Sequence, residues 1–158
     1  MKYIILLTSL LSVTSESIAV EISEVIGVIP GEISRIEGVN IGAPFEILRI
    51  PTPNSKLSKI YPDLEVMISA ESKRIVGVSA KRAFQSKTEC HNSQTTVRNT
   101  LSKAFSSKYT GRDPRWQYQP PDASITAGAL CSIAKPYPVL RLDITHTQTN
   151  DEILRHFK

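Results

Sequence analysis

Cys90 and Cys131, the two cysteines of the chain, and His91, His146 and His156, its three histidines, are the side chains with the widest chemical reach. A nucleophilic hydrolase needs a Ser or Cys, a base within hydrogen-bond reach and an acid that orients the base. Cys90 and His91 are adjacent, and neighbours on a helix or strand point in different directions, so they do not form such a pair. Asp143 and His146 are close in sequence, but three positions along a strand put them on opposite faces. No G-x-S-x-G elbow occurs. A zinc site needs three or four His, Cys, Asp or Glu ligands at workable spacing. H-E-x-x-H and C-x-x-C are both absent. Glu65, Glu71, Asp143 and Asp151 could supply the paired carboxylates of a glycosidase, but none lies in a recognisable context. The run from Gly27 to Gly31 and its echo from Gly38 to Gly42 fit G-V-x-x-G. They lack the glycine order and the Lys-Ser or Lys-Thr of a phosphate loop. The sequence therefore calls for no metal, no cofactor and no assigned catalytic residue.

Binding chemistry is better represented. Arg112-Asp113-Pro114-Arg115-Trp116-Gln117-Tyr118 gathers two arginines, the single tryptophan and a tyrosine. These residue types dominate binding hot spots. Lys81 and Arg82 add a basic pair where a strand should leave the core. The candidate binding residues are thus Arg112, Arg115, Trp116, Tyr118, Lys81 and Arg82. The competing reading is structural: Trp116 is a lid on the core and the arginines are merely solvated.

Several elements must position these groups. Leu64, Val66 and Ile68 alternate with polar neighbours and predict a strand. Ala70 to Lys73 reads as a turn, and Arg74 to Phe84 as the returning strand, with Val76, Val78 and Ala80 on one face. Ser86-Lys87-Thr88-Glu89 matches a capping box. Cys90, Val97, Leu101, Ala104, Phe105 and Lys108 follow at helical spacing, and Gly111 with Pro114 stops the helix. A second hairpin is predicted from Ala127 to Ala134 and from Val139 to Thr145. Its face of Leu140, Leu142 and Ile144 lies opposite Arg141, Asp143 and Thr145. Asn150 caps a short final helix holding Ile153, Leu154 and Phe157. Before the first hairpin, residues 20–53 read as short strands broken by glycine and proline, including Phe45 to Ile50. Residues 54–59 read as an exposed loop. The order predicts an α+β fold: an antiparallel sheet of two hairpins plus short N-terminal strands, one main amphipathic helix packed on a face, and a short C-terminal helix.

The start of the chain sets the compartment. Lys2, the apolar run from Tyr3 to Val13 and the small residues Ser17 and Ala19 form the pattern of a cleavable signal peptide. The apolar run falls short of the ~20 residues that span a bilayer. No cysteine follows it to carry a lipid. The expectation is a signal peptide over residues 1–19 and a single exported domain over residues 20–158, periplasmic or secreted. In an oxidising compartment Cys90 and Cys131 read as one disulfide. Closing that loop removes unfolded-chain entropy worth roughly 4 kcal/mol. The net charge of +4 and pI near 9.1 suit a soluble small domain. In an exported protein they point to no nucleic-acid partner. The expected function is a non-enzymatic interaction domain of the bacterial envelope, acting on another protein as an inhibitor, immunity-type protein or assembly accessory. Two alternatives stand beside it. One is a small secreted hydrolase of cell-wall or carbohydrate material. The other is a module binding anionic glycan or lipid headgroups through Lys81, Arg82, Arg112 and Arg115.

Overall fold

The computed structural model describes residues 22–40, 44–104, 124–133 and 136–157. The expected leader and the candidate residues Arg112, Arg115, Trp116 and Tyr118 lie outside the described residues. The strands are β1 (Val39–Asn40), β2 (Phe45–Pro51), β3 (Asp63–Ser69), β4 (Ile75–Ala83), β5 (Ile125–Ser132) and β6 (Val139–His146). Helix α1 (Lys87–Ala104) joins β4 to β5, and α2 (Thr147–Leu154) follows β6, ending in a 3₁₀ turn over Arg155–Phe157. All six strands form one antiparallel sheet in the order β1-β2-β3-β4-β6-β5. The α+β fold expected from the sequence is therefore present.

Period-two patterning builds the sheet. Leu64, Val66 and Ile68 of β3, Val78 of β4 and Leu140, Leu142 and Ile144 of β6 are all buried on one face. Each large aliphatic side chain buried this way contributes roughly 1.5–3 kcal/mol. At Gly77, opposite Thr145 on β6, an added Cβ would come within 2.3 Å of the Ile144 carbonyl oxygen. A glycine there lets β4 and β6 approach. Helix α1 covers the apolar face through Cys90, Gln94, Val97, Thr100, Leu101 and Ala104, all buried. It starts as its sequence predicts: the Glu89 N–H donates to Ser86 Oγ at 3.2 Å, satisfying one orphan amide of the first turn. Ala127 and Ala129 on β5 are small and fully buried, so the helix lies close against that strand. Cys90 and Cys131 are disulfide-bonded, with Cα atoms 6.0 Å apart. The bond fixes the first turn of α1 to the end of β5.

Three local expectations are corrected. Residues 22–26 are helical, not a strand. Ile22 and Ile26 lie one helical turn apart and both are buried, which outweighs the glycine-rich context. Gly27, at φ +80°, then ends the turn with its N–H on Ser23 O at 2.7 Å. Residues 54–59 are not simply an exposed loop. Asn54 Oδ1 accepts from the N–H groups of Lys56 and Leu57 at 3.0 and 3.1 Å, and the resulting turn drives Leu57 into the core. The last helix starts at Thr147 and is capped by His146, whose Nδ1 accepts from the Thr149 N–H at 3.3 Å, not by Asn150. Ile153 is buried, but Leu154 and Phe157 are 48% and 66% exposed. Strand boundaries also move: β5 begins at Ile125 rather than Ala127.

One charged group is part of this framework. Glu46 is buried, pairs with the Lys73 ammonium and accepts from the Gly38 N–H at 3.3 Å. Lys73 holds a left-handed φ of 54° in the β3–β4 turn, so the pair ties that turn to β2. The Lys73 hydrogen bond holds the Glu46 carboxyl below its ordinary value, against the opposing effect of burial.

Two outcomes follow. A depressed carboxyl adds stability above its unfolded pKa and loses it as pH falls through the lower folded value. Acid should therefore destabilise the protein from about pH 4.5 downward, and Glu46→Gln should flatten that slope in urea midpoints taken across pH. Replacing Cys90 and Cys131 with serine should lower stability by up to roughly 4 kcal/mol, the entropy of the loop they close, while leaving the circular-dichroism spectrum folded.

Candidate functional site

With α1 on one face of the sheet, the side chains of the other face point away from the core. Cross-strand register sets them in rows. Arg49 on β2 faces Glu65 on β3, Glu65 faces Ser79 on β4, and Ser79 faces Asp143 on β6. One step along the strands, Lys81 on β4 faces Arg141 on β6. These residues, with Asp63, line a groove of about 440 Å³. Arg49 Nη2 donates to Glu65 Oε1 at 2.7 Å, an exposed ion pair worth about 0–1 kcal/mol. Among the described residues the side chains of Asp63, Lys81, Arg141 and Asp143 form no hydrogen bond or close ion pair. Partial desolvation in the groove raises the Asp143 carboxyl above its ordinary value, and Arg141 works against that rise. The Asp143 charge reaches into the core as well. It adds to the effect of burial in raising the phenol of Tyr61, whose hydroxyl has no hydrogen-bond partner among the described residues.

Of the sequence candidates among the described residues, Lys81 belongs to this groove and Arg82 does not. The next position on a strand faces the other way. Arg82 Nη1 donates to the carbonyls of Lys59 and Ile60 at 2.5 and 3.0 Å. Its guanidinium lies 5.4 Å from the Phe84 ring centre. It thus holds the 54–60 turn against β4. Both residues lie within β4, whose pairing with β6 runs on to Ala83, and both are exposed after the buried run from Ile75 to Val78, so the strand leaves the core there as expected while staying in the sheet.

The histidines have structural partners. His91 Nδ1 lies 3.2 Å from Gln94 Oε1, and His146 caps α2. His156 Nε2 lies 3.5 Å from Glu71 Oε2. Among the described residues no three His, Cys, Asp or Glu side chains are grouped as metal ligands, and no helix is long and apolar enough to cross a membrane.

Arg49, Asp63, Ser79 and Arg141 were missed as site residues. The alternation placing Arg141 and Asp143 away from the core is visible in the sequence. What is not visible is that β6 inserts beside β4 rather than beside its hairpin partner alone, which brings Lys81 and Arg141 together. A larger concavity of about 890 Å³ lies between α1 and the 54–56 turn. The Thr96 and Thr100 hydroxyls on its wall donate to carbonyls one helical turn back, and the Asn54 carboxamide oxygen is spent on its own turn. The charged groove has the stronger claim to recognition.

The two basic neighbours should separate in stability measurements. Arg82→Ala removes a charged donor to two carbonyls and should cost about 1 kcal/mol or more. Lys81→Ala should stay within about 0.5 kcal/mol of the parent. Urea unfolding of both variants checks this.

No protein-family model, no curated protein and no solved structure matches the chain.

Proposed function

We propose that this protein is an exported, non-enzymatic interaction domain of the bacterial envelope that binds another protein, as an inhibitor, immunity-type protein or assembly accessory. The observation that carries this reading is the charged face of the sheet, where Lys81 and Arg141 stand as direct cross-strand neighbours beside Asp143 and, among the described residues, none of the three is in an ion pair. Groups left in that state are available to a partner. The disulfide is compatible with an oxidising compartment and supports export, as does the leader pattern over residues 1–19. Three carboxylates share the groove with three cationic groups, which weighs against nucleic acid and against a polyanionic glycan or lipid surface.

A second reading, a small hydrolase of cell-wall carbohydrate, gains from one observation. Glu65 and Asp143 flank Ser79 on the same face, two strand spacings apart, or roughly 10 Å between backbones. Two carboxylates on one face are what a glycosidase requires.

Expression of the full chain in a bacterial host tests both. The first reading expects a periplasmic product whose intact mass lacks Met1 to Ala19, and which retains one protein at fixed stoichiometry from envelope extract. A retained leader contradicts export. Release of reducing sugar from envelope glycan, abolished by Asp143→Asn, supports the hydrolase instead.

A further inference from the structure

Within the proposed function, on which this step rests, we infer that the partner docks along β4 and β6 at Lys81, Arg141 and Asp143, and that it presents an extended protein segment with an acidic and a basic side chain two residues apart. The register makes Lys81 and Arg141 direct cross-strand neighbours on the exposed face. Like charges so placed destabilise a sheet. Among the described residues neither has an ion-pair partner within contact distance, and the Asp143 carboxylate two residues on offsets only the Arg141 charge, at longer range. On the same face Arg49 and Glu65 do pair, so the sheet can place opposite charges in contact, and at β4 and β6 it does not. A carboxylate laid between Lys81 and Arg141 removes their repulsion and can be held by both.

Asp143 sets the second requirement. It follows Arg141 by two residues on β6, so the two side chains share a face and lie about 6.4–6.8 Å apart along the strand. Alternate side chains of an extended partner segment have the same spacing. An acid-x-base pattern therefore puts its carboxylate over Arg141 and Lys81 and its cation over Asp143 in a single pose. The partly desolvated carboxyl of Asp143 gains most from such a cation. A polyanion meets the Asp143 repulsion, and a polycation meets that of Lys81 and Arg141. One mixed-sign segment satisfies all three.

The test uses the ¹⁵N-labelled protein with its disulfide formed. The probes are three acetylated peptides in which threonine alternates with Glu and Lys in turn, with Glu alone, or with Lys alone, together with phosphatidylglycerol vesicles. The mixed peptide should give saturable shifts at the amides of Ser79, Lys81, Arg141 and Asp143. Its affinity should fall at least about fivefold in Arg141→Ala and in Asp143→Asn, each keeping the parent spectrum elsewhere, as expected for loss of one charged contact. The inference is overturned if the mixed peptide gives no saturable shift. It is also overturned if the all-Glu peptide or the vesicles bind as well as the mixed peptide, or if both variants bind the mixed peptide unchanged. A partner captured from envelope extract equally well by the parent and by both variants would leave the interaction function standing and remove this surface from it.

Discussion

Helix α1 has to cover the apolar face of the sheet and close its far edge at once. β5 is an edge strand, and an edge exposes backbone groups that invite pairing with other chains. The chain leaves β4, runs through α1 and enters the sheet at that outer position before folding back through β6. The helix is held to the edge by Cys90–Cys131 and by Gln94, whose Nε2 donates to the Ala129 carbonyl at 2.9 Å. Ala127 and Ala129 are each 1% exposed, so the edge is sealed and not merely overlain. The opposite edge is blunted differently, by a β1 of two residues and by Pro51 at the end of β2. With one face and both edges managed, the charged face is the broad exposed surface of the sheet.

The parts of the fold legible in the sequence are those where one local pattern dominates. The β3–β4 hairpin, the capped start of α1 and the buried stripe of β6 each depend on spacing within a few residues. The cysteine pairing was legible because two cysteines leave one choice of partner. Elements set by tertiary demand were not. Ile22 and Ile26 form a helical turn because the core accepts both, and Leu57 is buried because Asn54 turns the chain inward. His146 caps α2 because its ring sits over Gly31, at φ +94°, where any side chain would collide with it.

The candidate site lies between these cases. Arg141 and Asp143 read from the sequence as outward-facing, and Lys81 was singled out for charge. Their meeting depends on strand order, which no local pattern carries. Arg82 shows the converse. Its charge resembles that of Lys81, but one residue of strand advance turns it to the core side, where its guanidinium becomes a structural donor. Charge type told little, and the side of the sheet decided the role. The same geometry leaves Asp143, Lys81 and Arg141 close together with no ion pair among the described residues.

The central claim is that the uncovered face, and not the outer side of α1, is where this protein meets its partner. A photo-activated cross-linking residue at position 81, compared with one at the exposed position Thr95 on α1, tests it most directly in living cells. The account predicts one discrete protein adduct from position 81 and none from position 95. Adducts from position 95 with none from position 81 would contradict it.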